Sequence, residues 1–369
     1  GVGRGKLARM TDSIRPTGEA GTADAAPIAP AQRIATLDTI RGVALFGILM
    51  VNITAFGLPD AYFDPSNSGG SEGAPLYAWL TTHLLFEGTQ RSLFALLFGA
   101  GVILMTSRME ARGAGIEVAD IYYRRNIWLV IFGLVHAYLL LWDGDILYQY
   151  GIVALFLFPL RRALPRTLFA LGVAALLISF AWLLADYVEV RDVAAAAEEA
   201  WAFEDAGGHL TDEQLDAIDD WEDELWEAKR DGERRQQAIA ERNGSYWTFM
   251  KANASEVAET QSWDFYRYTF LDVFAMRVFG MALFKMGLLT ERLPLKLHWL
   301  MVLVGYGLGL AANVHEARTI LEAEFGVVAF ARANLTYDVG RVGVTAGHLG
   351  VLLLWCRSGR TAWLKTRLA

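Results

Sequence analysis

The sequence predicts an all-α protein, a polytopic transmembrane helix bundle of about eight spans with a mainly helical, acidic extracytoplasmic insertion. Its composition is 54% hydrophobic and only 20% charged, which is less charge than a soluble domain carries. The apolar residues gather in runs of about 18–25 residues, the length that crosses a hydrocarbon core of about 30 Å. Lys and Arg recur in every second loop, as in multi-pass proteins.

The first part of the chain divides into a tail and five predicted spans. Residues 1–32 are rich in Ala, Gly and Pro without periodicity, and we interpret them as a disordered cytoplasmic tail. A first transmembrane bundle follows at 33–187. Its predicted helices are 37–58, a segment within 76–107 that Gly88 divides, 124–142, 145–161 and 167–187.

An acidic segment at 188–264 separates this bundle from a second one at 265–369. Its carboxylates far outnumber its bases, and Trp201, Leu215 and Trp221 recur at spacings typical of amphipathic helices. It is either a solvated helical hairpin or a cover on the bundle. The second bundle has three predicted spans, at 266–289, 297–314 and 336–357.

The loop charges give an orientation. The basic segments are the leader, the loops between spans 2 and 3, 4 and 5, and 6 and 7, and the C-terminal segment. The intervening loops are acidic or nearly neutral, including one with Glu316, Glu322 and Glu324. Because basic loops stay in the cytoplasm, eight spans with both termini cytoplasmic fit this pattern.

Ionisable residues inside the apolar runs are the candidate functional groups, because lipid does not tolerate unpartnered charge. In LDTIRGVALFGILMVN, Asp38 can pair with Arg41 at i, i+3. Asn52 lies eleven residues after Arg41, about 16 Å along the same helix face. This stripe is expected to face protein.

Span 2 carries His83, Glu87 and Arg91 at i, i+4 and i+8, in a favourable Glu-to-Arg order. They line a site or form an internal ion pair that only neutralises itself. Span 3 carries His136, seven residues before Asp143, and Asp145 resembles the N-cap of span 4. A carboxylate near an imidazole orients its tautomer, so His136 is a candidate base or a histidine satisfied by a neighbouring helix.

Span 8 places Asp338 three residues before Arg341, and His348 seven after it on the same face. Its glycines, at 340, 343, 347 and 350, allow close helix approach. Span 6 adds Asp272, Arg277 and Lys285. The single Cys356 excludes an intrachain disulfide and a cysteine metal cluster, and we expect no metal and no nucleic-acid partner.

Four stretches together resemble the YeiB-like family of bacterial membrane proteins over about 33–369, apart from the insertion. They are LDTIRGVALFGILMVN, FEGTQRSLFALLFGAG, GLVHAYLLLWDGDILYQYGIVAL and FLDVFAMRVFGMALFKMGLL. That family is similar to transmembrane acyltransferases of the heparan glucosaminide acetyltransferase and sugar O-acyltransferase type. The resemblance implies the bacterial inner membrane, further spans beyond this chain's last residue, and transfer from acetyl-CoA or a related acyl-CoA to a small-molecule or glycan acceptor at the outer face.

In the O-acyltransferases an Arg-Gly pair precedes a histidine by eleven residues. Here Arg41-Gly42 matches, but the eleventh position is Asn52, which cannot act as a general base. His136 with Asp143 or Asp145 is our candidate replacement and His83 the second. Asn52 would orient the acceptor or the oxyanion. The expected donor-binding residues are Arg41, Glu87, Arg91, Arg341 and His348.

Two other functions stay open. The buried charges can line the path of a transporter for a small polar solute. The acidic insertion can instead recruit a partner to a non-catalytic membrane protein. The glycine faces also allow a homo-oligomer within the bilayer.

Overall fold

The computed structural model describes residues 34–57, 65–68, 70–142, 144–228, 240, 242–290, 293–358 and 360–368. In this part of the chain every regular element is helical. The α-helices, numbered here in chain order, are α1 (Ala35–Gly57), α2 (Gly73–Leu85), α3 (Thr89–Ala111), α4 (Glu117–Tyr138), α5 (Leu147–Leu157), α6 (Pro165–Asp205), α7 (Asp212–Ala228), α8 (Tyr246–Glu259), α9 (Phe270–Lys285), α10 (Leu295–Glu322), α11 (Val327–Arg357) and α12 (Ala362–Leu368). A π-helix, Thr260–Thr269, joins α8 to α9, and short 3₁₀ turns cover Pro65–Ser68, Pro159–Arg162 and Leu288–Thr290. The predicted tail at 1–32 and Asp143 lie outside the described residues.

Among the described residues, five segments are long and apolar enough to cross a membrane: α1 over Ala35–Thr54, α2 with α3, α6, α10 and α11. They correspond to predicted spans 1, 2, 5, 7 and 8. The other three predicted spans fall on α4, α5 and α9. With 11 residues, α5 is about 16 Å long, and α9 has 16 residues including three charged ones. Length and charge therefore separate these helices from the five candidates.

The second predicted span is divided at Gly88, as expected. Gly88 has φ 61°, a left-handed conformation that glycine adopts without steric cost. A Cβ there would come within 2.2 Å of the Tyr337 hydroxyl and 2.6 Å of Arg341 Cδ. The break therefore also lets the start of α3 approach α11 closely.

Three helices extend further than the apolar runs predicted. The helix expected to end at residue 187 continues to Asp205, because the alanine-rich stretch after it has high helix propensity and no Gly or Pro interrupts it. Similarly, α10 continues to Glu322, and α11 begins at Val327 rather than 336.

The core of the bundle is α9, which packs against α3 and α6 and also touches α5. Ten of its sixteen residues are buried. At its crossing with α3, a Cβ on Gly280 would lie 1.9 Å from the Leu96 carbonyl oxygen, and one on Gly99 would lie 1.9 Å from the Arg277 carbonyl oxygen. Glycine at both positions allows the two backbones to touch.

A second close pair is the antiparallel hairpin of α10 and α11. A Cβ on Gly343 would lie 2.7 Å from Gly309 Cα, and one on Gly305 would lie 2.6 Å from Gly347 N. Glycine-mediated packing, which the sequence suggested for α11, is confirmed here within the chain.

In the described residues, the acidic segment forms the end of α6, α7, α8 and the first half of the π-helix. Along α6, Ala194, Ala197 and Ala200 are buried, where α7 packs back on it with Ile218. The other end of the segment reaches the bundle, because the Tyr246 hydroxyl donates to the Leu139 carbonyl at 2.8 Å. The segment thus forms a helical hairpin and a second part that contacts α4.

Candidate functional site

In the part of the chain that the structure describes, the largest group of ion-paired side chains lies where α3, α9 and α11 meet. Asp272 of α9 forms an ion pair on each side: Oδ2 is 3.0 Å from Arg91 Nη2, and Oδ1 is 2.5 Å from Arg341 Nη1. Arg341 also contacts Asp338 Oδ1 at 2.6 Å and Ser92 Oγ at 2.5 Å. Two guanidinium groups and two carboxylates therefore neutralise one another, as charges in an apolar interior must. We call these four residues the charge cluster.

Burial is uneven within the charge cluster. The side chain of Arg341 is 1% exposed and that of Asp272 is 9% exposed, whereas that of Arg91 is 34% exposed. Arg91 thus connects a buried ionic core to the surface of the bundle. Its helix is fixed nearby, because the Tyr150 hydroxyl donates to the Arg91 carbonyl at 3.1 Å.

A second site pairs a histidine with a carboxylate at the end of α4. His136 Nδ1 lies 2.8 Å from Asp145 Oδ1, and Asp145 Oδ2 accepts a hydrogen bond from the Tyr148 backbone N–H at 2.9 Å. Asp145 is buried and lies one residue before Ile146, the N-cap of α5, rather than at the predicted N-cap position. Its bond to Tyr148 still satisfies a backbone N–H in the first turn of α5. The His136 side chain is 38% exposed. When Nδ1 carries the proton of this contact, Nε2 is the ring nitrogen that can accept another proton.

A third pair joins α2 to α10. His83 Nε2 is 3.7 Å from Glu316 Oε2, and the Trp79 ring stacks on the imidazole with centroids 4.9 Å apart. The sequence assigned Glu316 to a loop, but it lies inside α10 and is 3% exposed. The apolar run ended before Glu316, which hid its position within the helix.

On α1, Arg41 Nη1 contacts Asp38 Oδ1 at 3.0 Å, as predicted. The buried face of this helix includes Leu37, Ile40 and Ala44, and both Arg41 and Asn52 are half-buried beside it. Arg41 extends toward α3, where its Nη2 would lie 3.5 Å from a Cβ on Gly101.

Three other polar residues of the predicted spans, His348, Arg277 and Lys285, each have at least one partner. His348 Nδ1 lies 3.0 Å from the Val344 carbonyl and 3.3 Å from the Tyr306 hydroxyl. Arg277 is fully buried, donates to the Tyr150 carbonyl at 2.6 Å and lies over the Phe98 and Tyr150 rings. Lys285 donates to the Ala163 carbonyl at 2.6 Å.

The predicted site residues therefore do not form one contacting group but lie in several separate sets of contacts. Arg91 and Arg341 meet through Asp272, whereas His136, His83, Arg41 and His348 have other partners. Glu87 is within electrostatic range of Glu316 and Tyr337, and Asn52 lies on α1. Sequence reasoning noted Asp272 but did not predict that it bridges two arginines. The signal available was a lone carboxylate in the apolar stretch FLDVF.

Within the described residues, no group of three or more His, Cys, Asp or Glu side chains has the geometry to hold a metal ion. The strongest chemical feature is instead the His136–Asp145 pair, which has the arrangement of an oriented general base.

The fold and these sites define a class: a helical protein whose described residues include five candidate membrane spans and charged side chains buried between helices. Two bacterial relatives are similar to this chain. It is 39% identical over 156 residues to uncharacterised protein YeiB of Escherichia coli strain K12, covering 42% of this chain and 38% of that protein. It is 34% identical over 165 residues to uncharacterised protein YxaH of Bacillus subtilis strain 168, covering 42% and 40%.

A third relative, an uncharacterised 39.9 kDa protein in the amylase 3′ region of Bacillus acidopullulyticus, is 34% identical over 136 residues, 37% of this chain and 36% of that protein. The chain thus spans about two fifths of the length of the curated relatives it matches. These similarities support a YeiB-like relationship. No protein-family model and no solved structure matches the chain.

Proposed function

We propose that this chain is part of a bacterial inner-membrane acyltransferase. It would transfer an acyl group from a cytoplasmic thioester such as acetyl-CoA to a hydroxyl or amine at the outer face. The observation that carries this proposal is the 2.8 Å contact between His136 Nδ1 and the buried Asp145. That contact makes Nε2 of a partly exposed imidazole available as a base.

The chemistry requires one proton acceptor and one leaving group. His136 Nε2 takes the proton of the acceptor hydroxyl or amine while the acceptor oxygen or nitrogen attacks the thioester carbonyl carbon. The carbon–sulfur bond then breaks, and the imidazolium returns the proton to the departing thiolate. Asp145 stabilises the imidazolium and fixes its tautomer, which general-base catalysis by histidine needs.

The proposed topology has eight membrane crossings, with α4, α5 and the π-helix continued by α9 as the three additional ones. Both termini are cytoplasmic, and the acidic segment is outside. The end of α4 with His136 then faces outward. Arg41, six residues into α1, lies at the cytoplasmic side, where it can attract the phosphates of the donor.

The other predicted site residues can be assigned to binding the acceptor or the donor in this topology. Asn52 lies eleven residues beyond Arg41 on α1, and its amide can hold the acceptor or the oxyanion. Arg91, partly exposed at the edge of the charge cluster, is the second candidate to contact the donor. Glu87, Arg341 and His348 remain proposed donor-site residues, and His83 remains the second proposed base.

The decisive experiment uses the purified protein in detergent or nanodiscs. We expect acetyl-CoA to raise its unfolding temperature. His136→Ala should reduce thioester-dependent acyl transfer at least about 100-fold, the scale of general-base catalysis, while the protein still unfolds in one cooperative transition. The matched control is His315→Ala, which changes an exposed histidine on α10.

Two results would contradict the proposal: no stabilisation by any thioester tested, or equal activity in His136→Ala and the wild type. The charge cluster favours one alternative, a transporter in which these groups line the path of a small polar solute. In that case, uptake into liposomes, rather than thioester binding, would depend on Asp272.

A further inference from the structure

In the His83–Glu316 pair, a buried carboxylate faces a histidine as its basic partner. Glu316 is 3% exposed, and within the described residues His83 is the one basic side chain within ion-pair distance of it. Its Oε1 atom has no hydrogen-bond partner in the described part of the chain, and neither does His83 Nε2. A buried carboxylate with an unsatisfied oxygen is costly, so this position calls for a bound positive charge.

The other charged groups around Glu316 increase this requirement. Asp338 on α11 and Glu87 at the turn between α2 and α3 both act on it as like charges. Arg341 of α11 is already bound to Asp272 and Asp338. Arg318, on α10 itself, is exposed and pairs with Glu322. The Thr336 side chain of α11 hydrogen-bonds the carboxylate but is neutral. Within the described residues, compensation by a positive charge therefore falls to His83 on α2.

The geometry of the pair favours a proton over a metal ion. The distance of 3.7 Å from His83 Nε2 to Glu316 Oε2 is slightly too long for a direct hydrogen bond, which needs about 2.7–3.2 Å. The described residues do not supply a metal-binding group here. A proton on Nε2 would satisfy both unpartnered atoms after a small movement of either side chain.

We infer that His83 and Glu316 form an exchangeable proton-binding site, in which the imidazole takes up the proton and the buried carboxylate stabilises it. The route for the proton is through His83, whose side chain is 14% exposed on a helix with no buried residues. This site is separate from the His136–Asp145 pair and does not depend on the proposed acyl transfer.

The stacked Trp79 makes the site measurable, because an imidazolium against an indole ring quenches its fluorescence and forms a cation–π contact. The signal of Trp79 is the difference between wild type and Trp79→Phe, titrated in detergent from about pH 8 to pH 4, a range that includes histidine protonation. We expect one titration step in this difference. His83→Gln, with its own Trp79→Phe reference, should lack the step.

Glu316→Gln should move the midpoint of the step down by at least about one pH unit, because the imidazolium loses its counter-charge. Glu322→Gln, an exposed change on the same helix, should leave the midpoint unchanged. The inference is overturned if wild type shows no step, if His83→Gln retains it, or if Glu316→Gln leaves its midpoint in place. Because the readout is fluorescence, acyl-transfer activity does not enter the result.

Discussion

Asp272 illustrates how one side chain sets the electrostatics of the bundle interior. It contacts Arg91 and Arg341 on two different helices, and Arg341 is almost completely buried. Without this carboxylate, two guanidinium groups would share only the charge of Asp338. Breaking a buried ion pair by removing one partner costs more than the pair itself contributes, since the remaining charge stays in a low-dielectric interior.

Asp272→Asn is therefore expected to destabilise the protein by about 3–5 kcal/mol. Thermal unfolding in detergent measures this change. Asp120→Asn is the matched control, because Asp120 pairs with Arg124 at the surface, where ion pairs contribute about 0–1 kcal/mol. Similar unfolding temperatures for the two variants would show that the charge cluster has no stabilising role.

Residue-level prediction from the sequence succeeded for partners within one helix or across one turn. The pairs Asp38–Arg41 and Asp338–Arg341 follow from helical spacing, and the contact of His136 with Asp145 follows from a short connection. Contacts such as Arg91 with Asp272 join positions 181 residues apart, as 272 − 91 gives. Helical periodicity contains no information about which faces of distant helices meet.

Among the elements, the crossing of α3 and α9 depends on glycine. The two backbones approach so closely at Gly99 and Gly280 that a methyl group has no space. The obstructing atoms are backbone atoms, which cannot move aside as the end of a side chain can. Close packing of this kind holds α9 in the centre and so positions Asp272.

Gly280→Ala should destabilise the protein by about 1–3 kcal/mol, the usual cost of overpacking a core. The same substitution at Gly307 on α10 is the control, because a Cβ there meets nothing within 4 Å. Alanine at Gly307 should be neutral or stabilising by up to about 1 kcal/mol through helix propensity. Denaturation in detergent compares them, and equal stability of the two variants would contradict the role assigned to this crossing.

The existence of most helices could be predicted, but their ends could not. Hydropathy indicates the limits of the apolar runs but not the ends of the helices. The helices α6, α10 and α11 continue beyond their apolar runs into more polar sequence. The π-helix between α8 and α9 had no sequence signal that we recognised. Helix ends depend on capping and on neighbouring helices, such as α7 beside the end of α6, rather than on hydropathy.

For the whole molecule, the proposed orientation places the α6–α7 connection outside and the α3–α4 connection in the cytoplasm. Both contain exposed residues suited to labelling: His209 in the first and Ile116 in the second. The single native cysteine, Cys356, can be replaced by serine to give a silent background. The charge pattern of the loops thus becomes directly testable.

In that background, His209→Cys should react with a membrane-impermeant maleimide in intact spheroplasts. Ile116→Cys should react only after permeabilisation, because the proposed topology places its loop in the cytoplasm, together with the basic segments. Gel-shift labelling measures both variants. The reverse pattern would invert the topology and place His136 at the cytoplasmic face.

The length of α6 has a practical consequence. Forty-one helical residues extend about 61 Å, twice the thickness of the hydrocarbon core, so roughly half of this helix must project beyond it. Because α7 packs along that half, the projecting part is a pair of packed helices rather than a single unsupported helix. An antibody fragment raised against its tip would add a rigid fiducial mass for cryo-electron microscopy of a small membrane protein.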